Sequence, residues 1–367
     1  MTCGIPWHDA VMSRVVSVAP VLAAHRHDQA EITASIGPLL SQDAGRLAAL
    51  ARFHGASGVR TRHLALPLPR YAELRGFGEA NHLFETIGTG LAEDAVRRAL
   101  SAADLRPADV DFLLFTTVTG VGAPSLDALL VARLGLRPDI RRLPSFGLGC
   151  VAGASAVARV HDYLVGHPDH VALVVSVELC SLTIQHGDDS PANLVSSGLF
   201  GDGAAAVVMV GDRRAEGRDG LDVVGTRSGV YPDTAGMLGW DIGGSGFRIV
   251  LGPGLADVVE AHLRADVEAC LEPLGAAVAD VRTWIAHPGG PRILDAAERA
   301  LGLTDGTLDR SRRSLAAVGN LSSSSVLHVL ADTLADAEPS AGQLAVLFAF
   351  GPGVSAEVVV LRRPEEV

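Results

Sequence analysis

The order of apolar and polar positions repeats once along the chain. Asp109-Val110 leads into the apolar run DFLLFTT (111–117), and about 170 positions later Asp280-Val281 leads into RTWIAH (282–287). Each run precedes a stretch with apolar residues at helical spacing that ends in Leu-Gly-Leu: SLDALLVARLGL (125–136) and RILDAAERALGL (292–303). Each copy then reaches a Gly-X pair opening a second helical stretch, Gly149-Cys150 before VAGASAVARVHDYL and Gly319-Asn320 before LSSSSVLHVLADTL. An apolar strand closes each copy, HVALVVSVEL (170–179) and GQLAVLFAF (342–350). Strands alternating with helices predict α/β layering. Two copies of one α/β half, with no long linker between them, predict a pseudo-two-fold molecule with a tight internal interface. The polar, Gly-rich stretch GDRRAEGRDG (211–220) is the expected junction, giving an N-terminal half over 1–215 and a C-terminal half over 216–367. Residues 12–100 are expected to add several helices to the first half, one of them over Asn81–Ala102.

The repeat also places the chemistry. Cys150 and Asn320 stand at equivalent helix starts, and His287 closes the strand of the second half. Glycine before Cys150 permits a tight strand-to-helix turn, and the small residues after it permit a closely packed helix. A thiol at a helix start has its thiolate stabilised by the dipole and by free N–H groups, and a neighbouring imidazole lowers its pKa from ~8.5 towards ~4–7. Taken singly, these residues read as a buried inert cysteine, a structural histidine and a helix cap. Converging at the interface of two related halves, they read as a cysteine nucleophile with two oxyanion donors. The thiolate accepts an acyl group, and the donors hold the oxygen of a developing enolate, which is a decarboxylative condensation. A cysteine peptidase also uses Cys, His and Asn, but the local signature C-G-S-C-W is absent.

Composition narrows the alternatives. At 48% hydrophobic and 20% charged over 367 residues, the chain is globular and long enough for a large core. No apolar run approaches a membrane span, the stretch Ala204–Val210 having seven residues. The N-terminus has an acid before its apolar part and an Arg within it, unlike a signal peptide, so a cytoplasmic protein is expected. A net charge of −12 argues against nucleic-acid binding and means that an anionic substrate needs a local basic patch. All 30 basic residues are Arg, which excludes a P-loop lysine and any Schiff-base lysine. The cysteines Cys3, Cys150, Cys180 and Cys270 form no C-x-x-C pair and no zinc-ligand spacing, and no G-x-G-x-x-G follows a strand. No disulfide, metal or redox cofactor is expected.

These motifs resemble the thiolase-fold condensing enzymes, and most closely the type III polyketide synthases, the chalcone-synthase-like family, in its bacterial branch. The resemblance spans nearly the whole chain: FGLGCVAG around Cys150, ELCSLT (178–183), LFGDGAA (199–205), GWDIGGSGF (239–247), HPGGP (287–291), Gly319-Asn320 and FGPG (350–353). It implies a thiolase-like αβαβα layered fold, a homodimer, and a Cys150-His287-Asn320 triad. The implied substrates are CoA thioesters: malonyl-CoA extends an acyl starter delivered by CoA or by an acyl carrier protein. By the same resemblance, Phe200 is a gatekeeper between the CoA tunnel and the cavity, and Phe247 is a second cavity aromatic. Cys180, Thr183, Thr117, Ser322, Gly351 and Pro352 are implied cavity positions. Plant members commonly carry Thr where Cys180 stands, so a pyrone, resorcinol or naphthol is implied rather than a chalcone. For the CoA phosphates, Arg52 matches a basic position, while Ala49 and Ala56 replace two others; Arg60, Arg62 and Arg292 are candidates to compensate. The alternatives are a β-ketoacyl-carrier-protein synthase III, whose H-Q-A-N is HPGGP here, and a non-catalytic partner of the same fold, which would have lost its nucleophile.

Overall fold

The computed structural model describes residues 12–365; Cys3 lies outside them. In chain order the strands are β1 (Ser13–Leu22), β2 (His25–Asp28), β3 (Thr61–Leu64), β4 (Phe112–Thr117), β5 (Arg141–Phe146), β6 (Val171–Leu179), β7 (Asp202–Gly211), β8 (Leu221–Val230), β9 (Leu238–Gly243), β10 (Gly246–Leu251), β11 (Val281–Ala286), β12 (Leu344–Gly351) and β13 (Ser355–Arg362). Nine of them form one sheet in the order β11-β12-β13-β8-β1-β7-β6-β4-β5. Apart from β5, this order reads the same from either end: β4 corresponds to β11, β6 to β12, β7 to β13 and β1 to β8. The pairing sense agrees, because β4–β6 and β11–β12 are parallel while β6–β7 and β12–β13 are antiparallel. The inferred duplication is thus present in the backbone. The two halves of the sheet join only through β1 and β8, over three residue pairs.

Helices make three layers around the two half-sheets. Gly76–Ala102 and Leu126–Leu134 cover the outer face of the first half, and Leu255–Leu271 and Pro291–Leu301 the outer face of the second. Between the half-sheets lie Ala152–Val165 and Ser325–Ala335, the two helices that follow the Gly-X pairs. Their residues Val157, Val160, Val326, Leu327 and Val329 share one buried cluster with side chains of both half-sheets, such as Leu114 and Leu347. A helix with so little polar surface belongs inside a molecule. The arrangement is the thiolase-like αβαβα fold.

Three local features differ from the sequence reading. The helix expected over Asn81–Ala102 begins at Gly76, because Glu79 in its first turn accepts from the Arg75 N–H and replaces a cap. The central strand β1 is not evident from a sequence containing Pro20. Beyond Val15 this strand pairs with β7 alone, so the missing N–H of Pro20 removes no bond on the other side. Finally, β5 and the hairpins β2–β3 and β9–β10 lie outside the repeat.

Candidate active site

Cys150 lies on a single turn, Gly149–Val151, that runs straight into the helix Ala152–Val165. Gly149 has φ +56°, and a Cβ there would meet Pro352 Cδ at 2.5 Å, so only glycine allows this approach. The equivalent turn in the second half is Ser322–Ser324, preceded by Gly319 at φ +75° and by Asn320. The two turns meet: the Cys150 thiol donates to Ser322 Oγ at 3.6 Å. Asn320 Oδ1 accepts from Ser322 N at 2.8 Å and Ser325 Oγ at 3.2 Å. Phe200 and Asn320 form a backbone bridge, and Gly201 N donates to Asn320 O at 2.9 Å. Cys150, Asn320, Ser322 and Phe200 therefore form one contiguous set.

Cys150 opens onto a cavity of about 690 Å³, measured out to its mouth. Cys180, Thr183, Ser322, Phe200 and Pro352 line it, as the motifs imply. Sequence reasoning missed Thr119, Trp240 and the short helix Pro191–Ser197, which contributes Asn193, Ser196 and Ser197. Trp240 Nε1 donates to Val118 O at 2.9 Å, which ties β9 to the end of β4. Thr117 is not a lining residue. Its hydroxyl turns to Glu178 at 3.3 Å, and Val118 and Thr119 line the cavity in its place. Gly351 lies behind the wall, where a Cβ would meet Leu148 O at 2.4 Å. Phe247 packs edge-on against Phe77 and beside Phe146 and Trp240, lining an adjoining cavity of about 820 Å³ that shares Thr119 and Thr183 with the first.

The electrostatics reverse one expectation. Burial, helped by the charge of Glu178, pushes the Cys150 thiol up to about 12, outweighing its hydrogen bonds with Ser322 and Asn320. Buried His287 is lowered to about 3 by desolvation, and neither ring nitrogen has a hydrogen-bond partner. Cys150 and His287 are therefore held as a neutral thiol and a neutral imidazole, no hydrogen bond joins them, and neither His287 nor Asn320 is among the residues lining the cavity. The backbone of His287 is fixed by its N–H to Phe348 O at 2.9 Å, on the strand that ends at Gly351.

The arginines divide by burial. Arg52, Arg60 and Arg292 are exposed. A Cβ on Gly58 would touch Pro291 at 3.1 Å, so the segments carrying Arg60 and Arg292 adjoin. Arg62 is only 1% exposed and lines the cavity, which removes it from the surface phosphate candidates.

Comparison with known proteins agrees with this geometry. Residues 84–226 match the model for FAE1/type III polyketide synthase-like proteins, and residues 222–364 that for the C-terminal domain of chalcone and stilbene synthases. The chain is 52% identical to a 1,3,6,8-tetrahydroxynaphthalene synthase of Streptomyces peucetius subsp. caesius, over 96% of this chain and 94% of that protein. It is 31% identical to a phloroglucinol synthase of Pseudomonas fluorescens, over 88% and 91% of the two chains. The crystal structure of the 1,3,6,8-tetrahydroxynaphthalene synthase of Streptomyces coelicolor superposes with a TM-score of 0.90 at 29% identity, covering 96% of this chain and all of that one. The chain belongs to the type III polyketide synthases, acyltransferases of the thiolase-like fold that extend their substrates by decarboxylative Claisen condensation.

Proposed function

We propose that this enzyme builds 1,3,6,8-tetrahydroxynaphthalene from malonyl-CoA alone, with the chain carried on Cys150. The observation that carries this reading is the 52% identity, over 96% of this chain, to a synthase of that product. A naphthalene has ten ring carbons, which five two-carbon units supply. Ser322 Oγ accepts from Cys150 and keeps its own proton for a polyketide carbonyl, whereas Thr119 and Thr183 donate to Glu178 and to Cys180 O.

The steps follow from the side chains. His287 takes the Cys150 proton as the sulfur attacks the primer thioester, and CoA leaves. A second malonyl-CoA then loses carbon dioxide: its C–C bond breaks and the electron pair moves onto the thioester oxygen as an enolate. His287 and Asn320 donate to that oxygen. The enolate carbon attacks the acyl carbonyl on Cys150, the C–S bond breaks, and the sulfur leaves. Phe200 stands at the inner end of the CoA channel and excludes water. Arg52, Arg60 and Arg292 supply charge for the CoA phosphates. No metal or redox group enters these steps.

The assembly is a homodimer through the β5 edge. This strand pairs only with β4, and Leu143, Phe146 and nearby Leu129 are 47%, 45% and 40% exposed. An unpaired apolar edge of this kind seeks a second strand, and a second copy supplies it.

Incubation with malonyl-CoA, alone and with short, long and aromatic starters or a carrier-protein thioester, tests the reading by mass analysis. Malonyl-CoA alone is expected to yield tetrahydroxynaphthalene; a product that forms only with an added starter refutes the substrate assignment. Cys150→Ala should abolish product yet still release carbon dioxide, because both oxyanion donors remain. Asn320→Ala should lower that release by roughly 10²–10³. Product formation by Cys150→Ala would remove it as the nucleophile, and normal release by Asn320→Ala would reduce that residue to a helix cap.

A further inference from the structure

Arg62 is the one charged residue among those lining the cavity, and the steps above leave its chemistry unused. It lies on β3, buried, on the same cavity as Cys150. Two of its three nitrogens are held: Nε donates to Gln29 Oε1 at 3.0 Å, and Nη1 donates to Phe200 O at 2.7 Å. Nη2 is enclosed and has no partner. Among the described residues Arg62 has no ion pair. Asp202, the acid whose charge it feels most, accepts instead from Ser181, through both N–H and hydroxyl, and from Ala65 N. The stem of Arg62 crosses Gly319, where a Cβ would meet its Cγ at 3.0 Å. The guanidinium is thus fixed beside Phe200 and the segment that carries Asn320.

A buried guanidinium with an unmade hydrogen bond is costly. The three-sided support keeps it in place, and the free N–H is satisfied when a ligand oxygen enters the cavity. Two ligand oxygens are available, a ketone of the growing chain or a carboxylate. Thr119, Thr183, Ser196 and Ser197 also line the cavity, but their hydroxyls donate within the protein, so the choice between the two rests on charge. A cationic donor binds a carboxylate roughly twice as strongly as neutral partners bind each other.

We propose that Arg62 recognises the free carboxylate of a malonyl primer and holds it during chain extension, that carboxylate leaving as carbon dioxide after the last condensation so that ten ring carbons remain. This rests on the reading that malonyl-CoA primes the enzyme. The physical consequence is selective. Loss of carbon dioxide moves charge out of the carboxylate, so a cation that binds the carboxylate stabilises the ground state and slows that loss. The extender, activated at His287 and Asn320, lacks that contact and decarboxylates. One enzyme then treats two copies of the same substrate differently, by where each carboxylate lies.

The test is a competition between malonyl-CoA and hexanoyl-CoA as primers, with malonyl-CoA as extender throughout and primed products resolved by mass. In Arg62→Gln the ratio of malonyl-primed to hexanoyl-primed product should fall at least 10-fold relative to wild type. Acetyl-primed, methyl-terminated products should rise, and Arg62→Lys should recover part of the ratio. An unchanged ratio overturns the proposal. If the variants do not fold, wild-type enzyme decides, with malonyl-CoA competing against its methyl ester, in which the carboxylate is masked. The ester should prime at least 10-fold less, and equal priming overturns the assignment. If wild type extends hexanoyl-CoA but makes nothing from malonyl-CoA alone, the failure is in the underlying reading, and Arg62 loses its ligand with it.

Discussion

Glu178 shows how much a single side chain contributes at the seam of the two halves. Its carboxylate accepts from Val118 N at 3.1 Å and Thr119 Oγ1 at 2.8 Å in the first half, and from Ser323 Oγ in the second. Even so, burial raises it from its ordinary value to about 7. The sign follows from linkage. The native state keeps this proton up to about pH 7, while the unfolded chain releases it near 4.5, so its contribution is full below 4.5 and is lost as pH rises through 7. Between pH 5 and pH 8 the wild type should therefore lose about 2–3 kcal/mol relative to Glu178→Gln, by urea unfolding at each pH. A difference that does not change with pH would mean that the carboxyl is ionised throughout. Burial, with a smaller contribution from the same charge, opposes ionisation of Cys150, which is why the helix start does not yield the resting thiolate that the local sequence suggests.

At the scale of elements, the site depends on the close approach of the two central helices. A Cβ on Gly153, four residues beyond Gly149, would lie 2.1 Å from Ser323 O, a backbone atom that cannot swing aside. The two turns that carry Cys150 and Ser322 are held together by this contact. Gly153→Ala should cost about 1–3 kcal/mol of stability by overpacking. It should also lower activity, because the strain enters where Cys150 meets Ser322. Denaturant midpoints and product formation measure the two effects; an unchanged midpoint would show that the helices separate freely. Strand β1 teaches a related lesson, since its proline is tolerated at the centre of a nine-stranded sheet only because the two half-sheets part company there.

For the whole molecule, the mirrored strand order explains why Cys150 and Asn320 meet. Equivalent turns from two related halves face each other across the central helices, so a cysteine in one copy and an asparagine in the other become partners. Strand β5 breaks that mirror, and it is the strand left with an exposed apolar edge. The double variant Leu143→Asp, Phe146→Asp should shift the mass in solution from dimer to monomer by light scattering, because charges on an edge strand oppose pairing. A wild-type protein that is monomeric at every concentration would refute the edge as an interface.

The chain's own pattern was enough for the duplication, the layer class and the two Gly-X turns, and it singled out Cys150, His287 and Asn320 as candidates. The reason is that periodicity and glycine placement are local, and a repeated order of local signals is visible without coordinates. Cys180, Thr183, Phe200 and Pro352 were legible as cavity positions through their motifs, and they line the cavity. What the chain alone did not reveal depends on burial and direction. Thr117 and Thr119 look equivalent in sequence, yet the hydroxyl of Thr117 turns to Glu178 while Thr119 lines the cavity. Trp240 and the helix Pro191–Ser197 reach the cavity from distant parts of the chain. Arg62 reads as one more surface cation beside Arg60, and only the packing of β3 against Phe200 and Gly319 takes it inside. The ionisation of Cys150, Glu178 and His287 likewise belongs to the folded molecule, because desolvation is set by everything packed around a group and not by its neighbours in the chain.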